Sequence, residues 1–203
     1  MPTAPSHQQR LIKLVKRRGL VRARDVAEQG IPTIELSRLV EAGHLERVAR
    51  GVYAIPDAQA GEYRSLAEIA IRVPRGVICL LSALRVHDLG TQAPFEVWLA
   101  VPLKLTSPRV EHPPLRLVRM SDRLLRLGVM AINIDRVSVP VFDPARTVVD
   151  CFKFRNKVGL DVALEALRDG WRKRKFAQDD LWRYARATGV ANVMRPYLES
   201  LSA

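Results

Sequence analysis

The sequence predicts an α+β fold in which an N-terminal winged helix-turn-helix precedes a larger α+β domain. Apolar residues recur at helical spacing before Gly43, and a short hairpin pattern follows as far as Pro56. In the middle of the chain, strand-length apolar segments are joined by short connections, which indicates a mixed or antiparallel sheet. From Pro144 onward the pattern changes to successive helices, so a helical C-terminal region should complete the second domain.

The second helix of the predicted motif covers residues 33–42. Leu36, Leu39 and Val40 fall at i, i+3 and i+4, so this side should face the core. Thr33 is a good N-cap, whose hydroxyl would accept a free amide of the first turn. The opposite, polar side would be able to enter a DNA groove, and it consists of Ser37, Arg38 and Glu41.

Two short strands joined through residues 49–51 are predicted to form the wing. Gly51 can adopt the left-handed conformation that such a hairpin needs. The order of helix, turn, helix and hairpin is typical of a DNA-reading unit, although a small helical domain with solvated arginines would share it. Arginines at the wing tip and at the start of the first motif helix could reach backbone phosphates. The predicted DNA-binding residues are Arg22, Arg24, Thr33, Ser37, Arg38, Arg47 and Arg50.

The composition favours an anionic partner. Among 203 residues, 33 Lys and Arg exceed 21 Asp and Glu, which gives a net charge of +12. The first 60 residues carry a net charge of +4 and the remainder +8, so both parts are basic. A basic second domain could also touch nucleic acid or an acidic protein.

The segment PDAQAG at 56–61 has the composition of a linker, which predicts domains at 1–60 and 61–203. Cys79 and Cys151 lie among apolar residues, as buried thiols of a reducing compartment would. No apolar run reaches the length of a membrane span, and the first residues lack an apolar signal region. We therefore expect a cytoplasmic protein with no membrane partner.

An enzymatic alternative stays open at the sequence level. A basic α+β domain with acidic residues after strands could be a metal-dependent nuclease with a winged targeting domain. Asp143 is more simply a helix cap, and Arg146 and Asp150 would form a pair on the helix surface. The acidic-x-Lys strand signature is missing and the histidines are scattered, so we predict no catalytic residue, no metal and no cofactor. The basic cluster at 172–175 fits either a helix end or a partner surface.

Three stretches carry a family resemblance: IPTIELSRLVEAGHLERVARGVYAIP at 31–56, LLSALRVHDLGTQAPFEVWLAVP at 80–102 and DPARTVVDCFKFRNKVGLDVALEALRD at 143–169. They resemble the AbiEi antitoxin family, transcriptional regulators of type IV toxin–antitoxin operons in abortive infection systems. The resemblance implies a repressor that binds double-stranded operator DNA of its own operon. It also implies that the second domain counteracts, directly or indirectly, a nucleotidyltransferase-like toxin.

Overall fold

The computed structural model describes residues 6–56, 63–110 and 112–201. The chain divides into two compact units, one formed by residues up to Pro74 with Ile132–Val139, the other by Arg75–Ala131 with Pro140–Ala203. The first unit therefore runs beyond the predicted boundary at residue 60. The predicted linker at 56–61 lies outside the described residues except for Pro56. That the two parts fold separately stays a prediction.

The first unit has the predicted order of helix, turn, helix and hairpin. Its three strands form an antiparallel sheet in which β3 lies between β1 and β2. Residues 20–22 are part of this sheet, where they pair with residues 52–54. The elements are α1 (His7–Arg18), β1 (Leu20–Arg22), α2 (Ala23–Glu28), α3 (Ile34–Glu41), β2 (Glu46–Ala49), β3 (Val52–Ala54) and α4 (Arg64–Arg72).

Local sequence signals fix the ends of these elements. A capping box opens α1, because Ser6 Oγ accepts from the Gln9 amide at 3.2 Å and the Gln9 side chain accepts from the Ser6 amide at 3.1 Å. The turn between β2 and β3 passes through Gly51 at φ +73°, as the hairpin pattern predicts. One apolar core joins the helices to the sheet, and it comprises Leu11, Leu14, Val15, Val21, Val26, Ile31, Leu36, Leu39 and Leu45.

The strands from Val77 onward form a mixed five-stranded sheet with the order β6-β5-β4-β8-β7, in which residues 132–139 of β7 and β8 group with the first unit. β4 is antiparallel to β5 and parallel to β8, and β5 is parallel to β6. The predicted α+β class is thereby confirmed. The strands and the first two helices are β4 (Val77–Ile78), α5 (Leu80–His87), β5 (Val97–Pro102), β6 (Leu115–Met120), α6 (Asp122–Leu125), β7 (Val129–Ile134) and β8 (Val137–Phe142).

Successive helices follow the sheet, as the sequence predicts. They are α7 (Pro144–Lys153), α8 (Arg155–Val158), α9 (Leu160–Arg172), α10 (Gln178–Thr188) and α11 (Ala191–Glu199). The central one is α7, whose residues 145–152 are all buried. Cys79 and Cys151 are free and buried, as expected, and burial raises the pKa of both thiols. Asp143 caps α7 by accepting from the Arg146 amide at 2.7 Å.

Candidate nucleic-acid interface

The exposed side of α3 is the centre of the candidate interface. Leu36 and Leu39 are 1% and 2% exposed, so the predicted apolar side does face the core. Val40 is only partly buried. On the outer side the structure exposes Thr33, Ser37, Arg38 and Glu41, together with the apolar Ile34. The outer side of α3 is therefore a mostly polar face of a short helix, with the dimensions that a DNA groove admits.

Thr33 occupies the N-cap position, but its side chain makes no capping hydrogen bond, so that part of the prediction is wrong. The backbone of Thr33 is helical, at φ −65° and ψ −19°, whereas a capping side chain needs an extended residue. The first amides are bonded to the chain instead: the Glu35 amide donates to the Pro32 carbonyl and the Leu36 amide to the Thr33 carbonyl, both at 3.1 Å. The hydroxyl of Thr33 is consequently available at the outer side of α3.

Arg38 is held by the carboxylate of Glu35, which is not among the DNA-binding residues predicted from the sequence. Its Nη1 donates to Glu35 Oε1 at 2.6 Å, while Gln8 Nε2 donates to Glu35 Oε2 at 2.9 Å. The hydrogen bond from Gln8, with the charge and hydrogen bond of Arg38, lowers the pKa of Glu35. The Glu35 carboxylate is therefore ionised at neutral pH and orients the guanidinium of Arg38. The i, i+3 spacing of Glu35 and Arg38 is the local signal of this pair.

The wing presents its arginines as the hairpin pattern predicts. Arg47 lies on β2 opposite Tyr53 of β3, and Arg50 lies in the turn. Both side chains are exposed. A β-bulge between Arg47 and Ala49 changes the register of this strand pair, which increases the local twist near the tip. Within the described part of the chain, no carboxylate forms an ion pair with either arginine.

Arg22 and Arg24 differ although the sequence places them together. Arg22 Nε contacts Asp25 Oδ2 at 2.9 Å and its Nη1 donates to the Ile71 carbonyl at 3.1 Å, so its guanidinium links α2 to α4. Arg24 is 65% exposed and lies 3.6 Å from Asp25. Burial acts to raise the pKa of Asp25, but the hydrogen bond and charge of Arg22 outweigh it and leave that pKa lowered. Only Arg24 is presented mainly to solvent.

In the second unit, the predicted surface pair of Arg146 and Asp150 is wrong, because both side chains are 0% exposed. Arg146 Nε lies 3.1 Å from Asp150 Oδ1, an ion pair without hydrogen-bond geometry. Arg146 Nη1 donates to the carbonyls of Leu124 and Leu127 at 2.9 and 2.8 Å. Burial dominates over the charge of Arg146 and raises the pKa of Asp150.

Several other polar side chains of the second unit are also bonded within it. Asp143 Oδ2 accepts from the Tyr184 hydroxyl at 2.5 Å, and burial together with this bond raises the pKa of Tyr184 to about 12. In the basic cluster, Arg172 contacts Asp169 at 2.5 Å and Lys173 contacts Asp88 at 2.8 Å. Two of the four cations in this cluster therefore form ion pairs with carboxylates of the same unit. In the described ranges, no three His, Cys, Asp or Glu side chains come together as a group that could hold a metal ion.

The first unit has the architecture of a winged helix-turn-helix transcriptional regulator. Residues 9–56 match the family model described as "Transcriptional regulator, AbiEi antitoxin", which confirms the resemblance for this segment. No curated protein sequence matches the chain significantly. The crystal structure of the RV2827C protein from Mycobacterium tuberculosis is similar at a TM-score of 0.56 and 16% sequence identity, over 91% of this chain and 72% of that one. At this identity the likeness concerns the fold alone.

Among the described residues, no helix has both the length and the apolar character that crossing a membrane requires.

Proposed function

We propose that this protein is a cytoplasmic antitoxin that represses its own operon by binding duplex DNA. The main support for the proposal is that the first unit has both an exposed polar side on α3 and a wing whose Arg47 and Arg50 are exposed. These features lie inside the segment that matches AbiEi regulators. In this proposal α3 enters the major groove and the wing follows the backbone or the minor groove.

The proposed contacts fall into two kinds. Thr33, Ser37 and Arg38 lie on the outer side of α3, where a hydroxyl or a guanidinium could reach base edges. Arg24, Arg47 and Arg50 would neutralise phosphates and carry no sequence information. Arg22, whose guanidinium is already bonded to Asp25 and Ile71, would support the interface from behind.

The wing is tested by the salt dependence of binding. Each neutralised phosphate adds about 0.9 to the slope of log K against log salt, because it releases condensed counterions. We therefore expect the double variant Arg47→Ala, Arg50→Ala to bind its own promoter DNA more weakly, with a slope reduced by roughly 2. Fluorescence anisotropy on operator and unrelated duplexes measures both quantities. The matched control is Arg126→Ala, Arg195→Ala, two exposed arginines of the second unit. An equal loss in the control would mean that net charge alone drives binding.

The antitoxin role is tested with the same variants in cells. We propose that the second unit counteracts a nucleotidyltransferase-like toxin encoded in the same operon, and that this role does not need DNA binding. The variant Arg47→Ala, Arg50→Ala should therefore still restore the growth of toxin-expressing cells while failing to repress the promoter. Failure of the wild type to restore growth would contradict the antitoxin role.

We also propose that the protein is not an enzyme, so DNA and RNA should stay intact with magnesium or manganese. Degradation would favour the metal-dependent nuclease instead.

A further inference from the structure

A basic groove runs along one side of α1, and none of its lining residues is among those assigned to the interface. Arg10, Lys13 and Arg17 are three and four positions apart, so they share one side of the helix. All three are exposed, and they border a cavity of about 280 Å³. Leu14 and Ile31, which are 7% and 3% exposed, form its apolar floor. We call this feature the α1 groove.

The helix itself explains only part of the charge of the α1 groove. Cations near a helix C-terminus interact favourably with the exposed carbonyls, which suits Lys16, Arg17 and Arg18 in the last turn. Arg10 lies near the N-terminal end of α1 and Lys13 lies at its middle, and at both places a cation gains nothing from the helix dipole. No carboxylate lines the cavity, and among the described residues none forms an ion pair with Arg10, Lys13 or Arg17. The groove is therefore suited to an external anion.

Hydrogen bonds connect α1 to the turn before α3 and to the first turn of α3. Arg10 Nη2 donates to the Gln29 carbonyl at 3.1 Å, at the turn between α2 and α3. Gln8 Nε2 donates to Glu35 Oε2 at 2.9 Å, which ties the first turn of α1 to the first turn of α3. Gln29 and Ile31, which line the groove, belong to the turn that leads to Thr33 at the start of α3. An anion in the groove would lie beside any DNA that α3 reads.

The length of the basic side fits a nucleic-acid backbone. From Arg10 to Arg17 the helix rises about 10.5 Å, at 1.5 Å per residue. A DNA strand presents a phosphate about every 3.4 Å along its axis, so these side chains can engage more than one phosphate. We propose that the α1 groove binds backbone phosphates of the same duplex that α3 reads, as a second electrostatic contact beyond the wing. This inference rests on the proposed DNA-binding function.

Two matched double variants of the full chain test the α1 groove. Lys13→Ala, Arg17→Ala removes two cations of the groove and leaves Arg10 bonded to Gln29. Lys16→Ala, Arg18→Ala removes two cations from the same helix outside the groove. Alanine favours helix, and circular dichroism and thermal unfolding would confirm that both variants are folded. Anisotropy titrations from 50 to 200 mM salt, on operator and unrelated duplexes, give the salt slopes.

We expect the groove variant to lose roughly 2 from the salt slope on both duplexes and to keep its preference for operator. The Lys16→Ala, Arg18→Ala variant should keep the wild-type slope. If the wild type binds DNA and the groove variant keeps the full salt slope, the α1 groove does not contact phosphates. The proposed DNA-binding function would still stand. A wild type that binds no duplex would refute both. A groove variant with unchanged DNA binding that no longer counteracts the toxin would identify the groove as a surface for an acidic protein.

Discussion

The wing arginines and Arg146 of the second unit are used in opposite ways. On the wing, Arg47 and Arg50 are exposed, and within the described residues they form no ion pair. In the second unit, Arg146 is 0% exposed, contacts Asp150, donates to two backbone carbonyls and lies 4.5 Å from the Phe142 ring centre. An exposed arginine retains its hydration until an anion arrives, whereas Arg146 has exchanged hydration for contacts inside the fold. Residue type alone therefore does not separate a binding arginine from a structural one.

The largest expected effect is the loss of Arg146. Its removal leaves the buried Asp150 carboxylate without its counter-charge, and breaking a buried ion pair typically costs about 3–5 kcal/mol. We expect Arg146→Ala to lower the free energy of unfolding by about that much, whereas Arg47→Ala should change it by less than about 0.5 kcal/mol. Urea denaturation followed by circular dichroism measures both values.

A compensating variant sharpens this result. Replacing both partners with apolar residues of similar volume, as in Arg146→Met with Asp150→Leu, removes the uncompensated charge and should recover much of the lost stability. No recovery would mean that the bonds from Arg146 to Leu124 and Leu127, rather than the ion pair, account for the loss. A small effect of Arg146→Ala would contradict its structural role.

The sequence predicts features that depend on neighbouring residues. The apolar side of α3 and the turn at Gly51 follow from local periodicity and backbone preference, and both are confirmed. The i, i+4 spacing of Arg146 and Asp150 places them on one side of α7, but periodicity does not show that other elements cover that side too. The cap at Thr33 failed because the Pro32 and Thr33 carbonyls already bind the first amides.

Features that depend on distant pairing were not predictable in the same way. β1 has three residues, too few for a periodic signal, and it pairs with β3, which lies 30 to 34 residues later in the chain. The helix α4 groups with the first unit, and Arg22 donates to the carbonyl of its Ile71, a contact that no local pattern reveals. The DNA-binding residues remain predictions, and the variants of the first unit are their test.

The next effect concerns Arg38, an exposed arginine that does have a partner. A guanidinium that forks onto a guanine edge discriminates between bases by roughly 1–3 kcal/mol. We expect Arg38→Ala to reduce the preference for operator over unrelated DNA by about that amount, with little loss of affinity for unrelated DNA. Anisotropy titrations on both duplexes measure the ratio. Equal losses on the two duplexes would show that Arg38 contacts only phosphate.

Glu35 provides the control for Arg38. Glu35→Gln removes the negative charge that holds the guanidinium at 2.6 Å while keeping a side chain that can accept hydrogen bonds. If Glu35 orients Arg38 for a base edge, this variant should prefer operator over unrelated DNA less strongly. It should also bind unrelated DNA more tightly, because one negative charge is removed. Unchanged discrimination would mean that Glu35 does not orient Arg38.

The smallest expected effect separates Arg22 from Arg24. Arg22→Ala removes the contacts to Asp25 and Ile71 and should lower the free energy of unfolding by about 0.5–1.5 kcal/mol, with a minor change in DNA affinity. Arg24→Ala should weaken DNA binding and leave the free energy of unfolding almost unchanged, because its side chain is 65% exposed and available to a phosphate. Greater loss of DNA affinity in Arg22→Ala would contradict the supporting role of Arg22.

The pH dependence of the Arg22→Ala effect identifies its source. Arg22 lowers the pKa of Asp25 below the ordinary value of 3.8, so the ionised carboxylate stabilises the fold above that pH. This contribution is lost as the pH falls through the lowered pKa, because Asp25 then takes up a proton in the folded state. The difference in unfolding free energy between wild type and Arg22→Ala should therefore be constant near neutral pH and shrink below pH 3.8. A difference that persists in acid would assign the stability to the bond with the Ile71 carbonyl, which does not titrate.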